Sequence, residues 1–217
     1  MRSLVVIYME KIVLFGANKN VDYEDINSVA NSILNNYVLI VNDVKHRLCE
    51  IEIYLNSVTH KDQYVHCNEA QKLYGKWYFH AFANGSYKSG TYKGLDLTLG
   101  SAEQNIYYGI LIRSIADLKL DNRIEGPCNV VNYILKAYGY ETVADYMATK
   151  NVKYLSANCK QHFYLKKQNL KTEKIYVAPR IGLSDKYPAY KTKLYRYVID
   201  KAHVKKEKSK LIELINV

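Results

Sequence analysis

Two carboxylates and a phenol ring share one face of a predicted strand, where they could support hydrolysis beside an aromatic surface. In the alternating segment His46–Leu55, a period of two places Glu50, Glu52 and Tyr54 on the same side. The other side carries the residues Cys49, Ile51, Ile53 and Leu55. A carboxylate so placed can act as a general base towards a water molecule. The alternative is a solvated polar face on a surface strand.

A series of short motifs follows Glu52-Ile53-Tyr54-Leu55 along the chain. The motifs are Asp62-x-x-x-His66, Gly75-x-x-Tyr78-x-His80, Ile110-Leu111-Ile112-Arg113, Gly126-Pro127 and Arg180-Ile181-Gly182. In type and order the series resembles that of the alkyladenine (3-methyladenine) DNA glycosylase family, over the range Ile26–Tyr197. The resemblance implies a monofunctional DNA N-glycosylase without lyase activity, which excises an alkylated or otherwise damaged purine in base excision repair.

The resemblance assigns the binding of an extruded base to side chains from separate strands. Enzymes that act on a base inside a duplex rotate the nucleotide out and hold the base between aromatic surfaces. Tyr54 would stack on one face of the base, and His80 would close the other face. His66 would lie beside the base, either edge-on to it or donating to the phosphate backbone.

The resemblance also assigns the chemistry at C1′ of the deoxyribose. Glu52 would orient and deprotonate the attacking water. Arg113 would help to fix that water and Glu52, and the backbone carbonyl of Ile181 would complete the water site. From the residues alone, a structural ion pair of Arg113, for example with Glu52, is an equal alternative. No cofactor and no metal ion are expected.

Two positions depart from the pattern of the family and bear on the choice of base. His80 stands where the family presents a tyrosine, so it changes the stacking surface and adds a group that can carry charge. Asp96 stands roughly where the family carries an asparagine that screens purines by their exocyclic group. A carboxylate only accepts hydrogen bonds and would welcome an amino group there. The preferred lesion therefore stays open.

The segment Ala83–Gly94 is predicted to be a hairpin, longer than the one that inserts a tyrosine into the minor groove in the family. An extended surface hairpin is the alternative. The candidate DNA contacts are Tyr87 or Tyr92 as the wedge, with Lys88, Lys93 and Arg180 as phosphate contacts. For Arg180 a structural ion pair is a second interpretation.

Positive charge is concentrated in the last third of the chain. The formal net charge is +10, and residues 150–210 contain 17 Lys and Arg against 4 Asp and Glu. Such a field attracts polyanions such as nucleic acid, although a Lys-rich surface of a biased genome would look similar. The family resemblance implies double-stranded DNA as the partner. The competing functions are an N-glycosidase that acts on a different modified base or nucleic acid, a non-catalytic reader of modified bases, and a generic basic nucleic-acid-binding or structural protein.

Hydrophobic periodicity predicts a single α+β domain, residues 1–217, with a curved, largely antiparallel sheet flanked by helices. Helices are predicted from Asp22 through the apolar stripe Ile26–Leu34, from Gly126-Pro127 to Gly139, over Thr142–Thr149 and over Lys205–Ile215. Strands are predicted at Tyr37–Val41, His46–Leu55, Lys76–Phe82, Tyr107–Ile115, Tyr176–Leu183 and Tyr190–Ile199. Pro179 suggests an edge or bulged position for the fifth of these strands.

The four cysteines lack CxxC spacing and are too sparse for a disulfide scaffold, which fits a reducing compartment. Cys159 and His162 have the spacing of two zinc ligands, but no second pair completes a site. No apolar run reaches the length of about 20 residues that a bilayer span requires. The protein is therefore expected to be intracellular and soluble and not to bind membranes, in the cytoplasm of a prokaryote or virus-infected cell, or in a nucleus. The family resemblance implies a monomer.

Overall fold

The computed structural model describes residues 23–120 and 122–215, which contain four α-helices and eleven β-strands. The helices are α1 (Tyr23–Asn36), α2 (Pro127–Ala137), α3 (Val143–Ala148) and α4 (Pro188–Lys191). The strands are β1 (Tyr37–Val41), β2 (Val44–Asn56), β3 (Tyr74–Phe79), β4 (Leu95–Leu99), β5 (Tyr107–Asp117), β6 (Arg123–Glu125), β7 (Leu155–Ser156), β8 (Tyr164–Lys167), β9 (Tyr176–Ala178), β10 (Arg196–Val198) and β11 (Ile212–Glu213). Within the described ranges, no helix combines the length and the apolar character needed to cross a bilayer.

The strands form one sheet in which the pairings between these eleven strands are all antiparallel. The main path runs β11-β9-β10-β2-β5-β4-β3-β7, with β1 beside β2 and β8, and β6 beside β5. The long strand β2 pairs with β5 on one side and with β1 and β10 on the other. The predicted α+β class with an antiparallel sheet is therefore confirmed, and β2 and β5 form its centre.

Two amphipathic helices cover this centre. The predicted apolar stripe of α1 is buried, and α1 packs against β2. In α2, Val130, Val131, Ile134 and Leu135 are buried, and the helix packs against β5. Gly126 precedes α2 with φ of 95°, a left-handed conformation that favours glycine, and Pro127 supplies a first helical residue that needs no backbone N–H. Both predicted helices are confirmed, with ends within a few residues of those expected.

An irregularity in β2 determines which side chains meet at the centre of the sheet. The register between β2 and β5 shifts between Leu48 and Glu50 and again between Glu50 and Ile51. Such bulges add local twist and redirect side chains. Glu50 and Glu52 are both buried, so the interpretation of this face as solvated is wrong. The face instead carries buried charge that requires partners.

The C-terminal part of the chain differs from the sequence prediction. The predicted strand Tyr176–Leu183 ends at Ala178, just before Pro179, and it is not an edge strand because β9 lies between β10 and β11. Tyr190 lies in α4, so the predicted strand Tyr190–Ile199 is reduced to β10. The predicted helix Lys205–Ile215 is wrong: a 3₁₀ turn at Lys208–Lys210 is followed by β11, which pairs with β9. Pairing with a distant strand outweighs the local helical pattern.

Truncating the core face of α1 is expected to be costly. Ile33 is fully buried in the main apolar core, so Ile33→Ala should lower the free energy of unfolding by about 2–5 kcal/mol through lost burial and a residual cavity. Ile212→Ala, at an exposed position of β11, serves as the matched control and should change it by less than about 1 kcal/mol. Denaturant titration measures both values. Equal losses in the two variants would contradict the packing described for α1.

Candidate active site

Glu52 is a fully enclosed carboxylate, with 0% of its surface exposed. Its Oε2 accepts a hydrogen bond of 2.9 Å from the Tyr54 hydroxyl. Its Oε1 accepts a bond of 2.8 Å from the backbone N–H of Ile181 and lies 3.3 Å from Nη1 of Arg113. Three donors on separate elements therefore satisfy both oxygens of a carboxylate that has no contact with bulk water.

Arg113 connects Glu52 to a second buried carboxylate. Its Nε donates to Oε1 of Glu50 at 2.7 Å, and the same oxygen accepts a bond of 2.8 Å from Nε of Arg196 on β10. Burial alone would lower the pKa of Arg113, but the negative charges of Glu52 and Glu50 outweigh it, and the pKa is raised. The ion pair between Arg113 and Glu52 is thus present. This contact agrees with the structural ion pair that was the alternative for Arg113, and a water-fixing role for Arg113 requires the same contact.

The ring of Tyr54 is held between Glu52 and a second buried ion pair. The guanidinium of Arg180 lies 4.4 Å from the centroid of that ring, in a cation–π arrangement. Arg180 donates to Asp62 at 2.6 Å and to the carbonyl of Ile53 at 3.1 Å. Burial and the nearby charge of Glu52 raise the pKa of Tyr54 well above its ordinary value. The phenol is therefore a neutral hydrogen-bond donor towards Glu52 in the working pH range.

Arg180 does not contact phosphate in this arrangement. Its side chain and that of Asp62 are both 0% exposed, so the interpretation of Arg180 as a DNA contact is wrong and the structural alternative holds. A guanidinium whose donors are directed to a carboxylate and to carbonyl oxygens has no surface to offer to a polyanion.

Loss of the carboxylate of Asp62 is expected to destabilise the protein strongly. Asp62→Ala leaves the guanidinium of Arg180 buried without its counter-charge, which should lower the free energy of unfolding by about 3–5 kcal/mol. Asp185→Ala removes a solvent-exposed carboxylate and should cost less than about 1 kcal/mol. Chemical denaturation of the two variants and the wild type makes the comparison. Similar stabilities for both variants would refute the description of Arg180 as a buried charge.

A pocket of about 120 Å³ opens beside Tyr54. It is lined by Tyr54, Tyr64, His66, Gln71, His80, Asp96 and Leu183. The four residues predicted to bind a base, Tyr54, His66, His80 and Asp96, all lie in this lining. They come from β2, the loop after it, the end of β3 and β4, so the fold brings together side chains that are up to 42 positions apart in the sequence.

Strand β4 contributes Asp96 to the pocket, where a polar cluster surrounds it. Asp96 itself is 1% exposed. Oδ1 of Asp96 lies 2.8 Å from Nε2 of His80, and Oδ2 accepts a bond of 3.2 Å from the side-chain amide of Gln71. Gly109 on β5 leaves room for this cluster, because a Cβ atom there would lie 2.5 Å from Oδ2 of Asp96. The carboxylate is thus fixed in position by two N–H donors.

His66 forms the opposite, partly exposed wall. Its ring centroid lies 4.5 Å from that of His80, and Nζ of Lys88 lies 3.2 Å from its Nε2. Partial burial is the main cause that lowers the pKa of His66 to about 4, and the neighbouring groups His80 and Lys88 lower it further against the attraction of Asp96. Partial burial also lowers the pKa of Lys88. His66 is therefore a neutral imidazole at neutral pH, and Lys88 points to the pocket rather than standing free on the surface.

The lowered pKa of His66 makes part of the stability depend on pH. Between pH 6.5 and about 4 the unfolded chain binds a proton at this residue while the folded protein does not, so the free energy of unfolding falls as the pH drops. His66→Gln should therefore lose less stability than the wild type between neutral pH and pH 4.5. Melting temperatures measured across this range test the difference, and parallel curves for the two proteins would exclude it. The other histidines are common to both proteins and cancel.

The two aromatic candidates for the wedge lie in different environments. Tyr87 packs edge-to-face on Phe79, with 6.5 Å between ring centroids, so it contributes to the core boundary. Tyr92 lies in a 3₁₀ turn at Gly90–Tyr92 and is 75% exposed. Of the two predicted candidates, Tyr92 alone presents a free ring to a partner, and Lys93 beside it is half-buried.

No protein-family model matches the chain. "Uncharacterized protein L759" of Acanthamoeba polyphaga mimivirus is 43% identical over 210 residues, which are 89% of this chain and 96% of the mimiviral protein. The chain belongs to the family of this mimiviral protein.

A second cavity, of about 530 Å³, has Arg113 in its wall. It is lined by Glu50, Thr91, Arg113, Glu125, Gly126, Pro127, Cys128, Asn129, Ile181, Lys205 and Lys206. The first turn of α2 is part of its wall. The residue pair Arg113 and Ile181 lines this cavity and also contacts Glu52, so the enclosed carboxylate lies next to both cavities.

Several site residues were not found by the motif series. Tyr64, Gln71 and Leu183 line the first pocket, and Glu50 shares Arg113 with Glu52. A signal existed for Gln71, because Asn68-x-x-Gln71 matches a capping box, and both of its hydrogen bonds are present. Ile181 contacts Glu52 through its N–H, whereas the sequence assigned a role to its carbonyl.

Proposed function

We propose that this protein is a DNA N-glycosylase that extrudes a damaged purine into the pocket beside Tyr54 and hydrolyses its bond to C1′. The proposal is carried by one observation: a fully buried carboxylate, Glu52, with a guanidinium at 3.3 Å lies directly behind an aromatic residue that lines a pocket. Buried charges cost stability unless they are fully paired, and the pairing with Arg113 and Arg196 keeps two adjacent carboxylates in place behind this pocket.

In the proposed reaction Glu52 accepts a proton from water while the water oxygen bonds to C1′. The bond between C1′ and the purine nitrogen breaks, and its electron pair leaves with the base. Arg113 orients Glu52 and places a positive charge 3.3 Å from its carboxylate. Because Tyr54 hydrogen-bonds to Glu52, stacking of Tyr54 on the base would move its hydroxyl and give water access to the carboxylate.

The second cavity offers a place for the sugar–phosphate backbone. Lys205 and Lys206 supply positive charge at its rim, and α2 begins at its wall. The positive end of a helix dipole and Lys side chains both favour phosphate. A backbone lying there would place its extruded base across Glu52, in the pocket lined by Tyr54 and His80. The surplus of Lys and Arg in residues 150–210 would add salt-sensitive affinity for the duplex.

Glu52→Gln is expected to abolish excision because the amide cannot take the proton of the attacking water. The rate should fall by a factor of about 100 or more. Duplexes carrying hypoxanthine, ethenoadenine or 7-methylguanine are incubated with protein, and the released base is quantified by chromatography. Glu103→Gln, which changes an exposed glutamate in a surface turn, is the matched control and should retain wild-type rates. Equal rates for Glu52→Gln and wild type would rule out Glu52 as the general base.

One observation favours a second function, that of a non-catalytic reader of modified bases. Both carboxylate oxygens of Glu52 already accept hydrogen bonds, and none of its surface is exposed. A reader would bind a duplex with one modified base more tightly than the unmodified duplex and release nothing. The same chromatographic assay, run beside an equilibrium binding measurement, separates the two functions: selective binding without product from the wild type indicates the reader.

A further inference from the structure

Lys88 lies at the mouth of the pocket beside Tyr54 and is attached to two residues of its lining. The backbone N–H of Lys88 donates to the carbonyl of His80 at 2.9 Å, and its Nζ donates to Nε2 of His66 at 3.2 Å. Tyr87, the residue before it, packs against the apolar core. Backbone and side chain are thus both held at the rim of the pocket, so the amine has a defined position there.

The amine of Lys88 has a different partner from the lysines that form ion pairs on the surface. In Lys174 and Lys191 the ammonium donates to a carboxylate, and this hydrogen bond raises the pKa. Lys88 donates to an imidazole, which supplies no negative charge to retain the proton. Burial lowers the pKa of Lys88 against the attraction of Asp96. Since the free amine is the nucleophile and the ammonium is not, Lys88 reaches its reactive form at a lower cost in free energy.

A chain of hydrogen bonds fixes the imidazole that holds this amine. An ammonium only donates, so Nε2 of His66 is the acceptor and Nδ1 carries the hydrogen of the neutral ring. Nδ1 lies 3.4 Å from the hydroxyl oxygen of Tyr78, which also accepts a bond of 3.3 Å from the backbone N–H of Ala81. Rotation of the His66 ring would break bonds on both of its sides, so the ring keeps Nζ of Lys88 beside the pocket.

The proposed reaction supplies an electrophile at this place. An extruded nucleotide puts its base into the pocket, so its sugar lies at the mouth, where the amine of Lys88 is held. Loss of the base leaves a sugar whose ring opens, and C1′ is then the carbon of an aldehyde. Lysine amines react with carbonyl carbons of this kind.

We infer that Lys88 is a nucleophile that captures an aldehyde at the mouth of this pocket, namely the ring-opened sugar of an abasic site. The inference rests on the proposed function, since the abasic site is the product of that reaction. The nitrogen of Lys88 bonds to C1′, both hydrogens of the amine leave with the carbonyl oxygen as water, and an imine remains. The step consumes no oxidant or reductant, cuts no strand, and is reversed by water.

The test uses a duplex with one preformed abasic site and cyanoborohydride, which reduces an imine to a stable amine. The trapped protein–DNA adduct is quantified on a denaturing gel, and peptide mass spectrometry locates its attachment. The wild type should form an adduct that maps to Lys88. Lys88→Arg keeps the positive charge and should lower the yield by about 10-fold or more, because a guanidinium does not form the imine. Lys119→Arg, in an exposed turn after β5, is the matched control and should leave the yield unchanged.

A duplex with a tetrahydrofuran residue in place of the abasic sugar is the substrate control. It has no aldehyde and should give no adduct, and its Kd for each protein sets the saturating concentration at which yields are compared. Adducts that map to amines other than Lys88, or equal yields from Lys88→Arg and the wild type, overturn the inference. Mapping on the wild type gives the same decision if Lys88→Arg does not fold.

The abasic duplex bypasses base excision, so the inference and the glycosylase proposal fail separately. A wild type that releases damaged bases and forms no adduct at Lys88 overturns the inference and leaves the glycosylase standing. A wild type that forms the adduct at Lys88 and releases no damaged base supports the capture of the aldehyde and removes the glycosylase proposal.

Discussion

The structure depends on the pairing of buried charge along the central strand β2. Glu50 and Glu52 lie on one face of this strand, where Glu52 is fully buried and Glu50 is 6% exposed. Arg113 from β5 and Arg196 from β10 supply the positive charges, so both neighbouring strands must pair with β2 in the observed register. A shift by one residue would direct the guanidiniums to the opposite face and leave the carboxylates unpaired.

This charged centre also sets the properties of the candidate site. The carboxylate of Glu52 is connected to the surface through Tyr54, which receives its orientation from Glu52 on one side and from Arg180 on the other. Arg180 in turn depends on Asp62, which lies in the loop between β2 and β3. A chain of buried ion pairs therefore holds the residues of the pocket. Arg180, which the sequence offered as a phosphate contact, instead supports the ring of Tyr54.

The two cavities have different chemical characters, in keeping with different parts of a nucleotide. The smaller pocket combines aromatic rings with a fixed acceptor, Asp96, and fits a flat, hydrogen-bonding heterocycle. The larger cavity lies at the start of α2, and its charged lining consists of Arg113, Lys205 and Lys206 with Glu50 and Glu125. Arg113 and Glu52 lie between them. The mimiviral relative shares 43% of the aligned residues over nearly its whole length, so the same experiments can be applied to both proteins.

The sequence by itself determined the elements whose pattern is local: the apolar stripe of α1, the alternation of β2, and Gly126-Pro127 at the start of α2. The order of the motifs also indicated Tyr54, His66 and His80 as residues of the pocket, and the resemblance to the family indicated Asp96. Only the tertiary structure decided the burial of Arg180, the contributions of Tyr64, Gln71 and Leu183, and β11 in place of a terminal helix. Periodicity reports the contacts that a segment makes with its own neighbours along the chain. The partners of a buried charge or of a two-residue strand are distant in sequence, and they are chosen by the free energy of the whole fold.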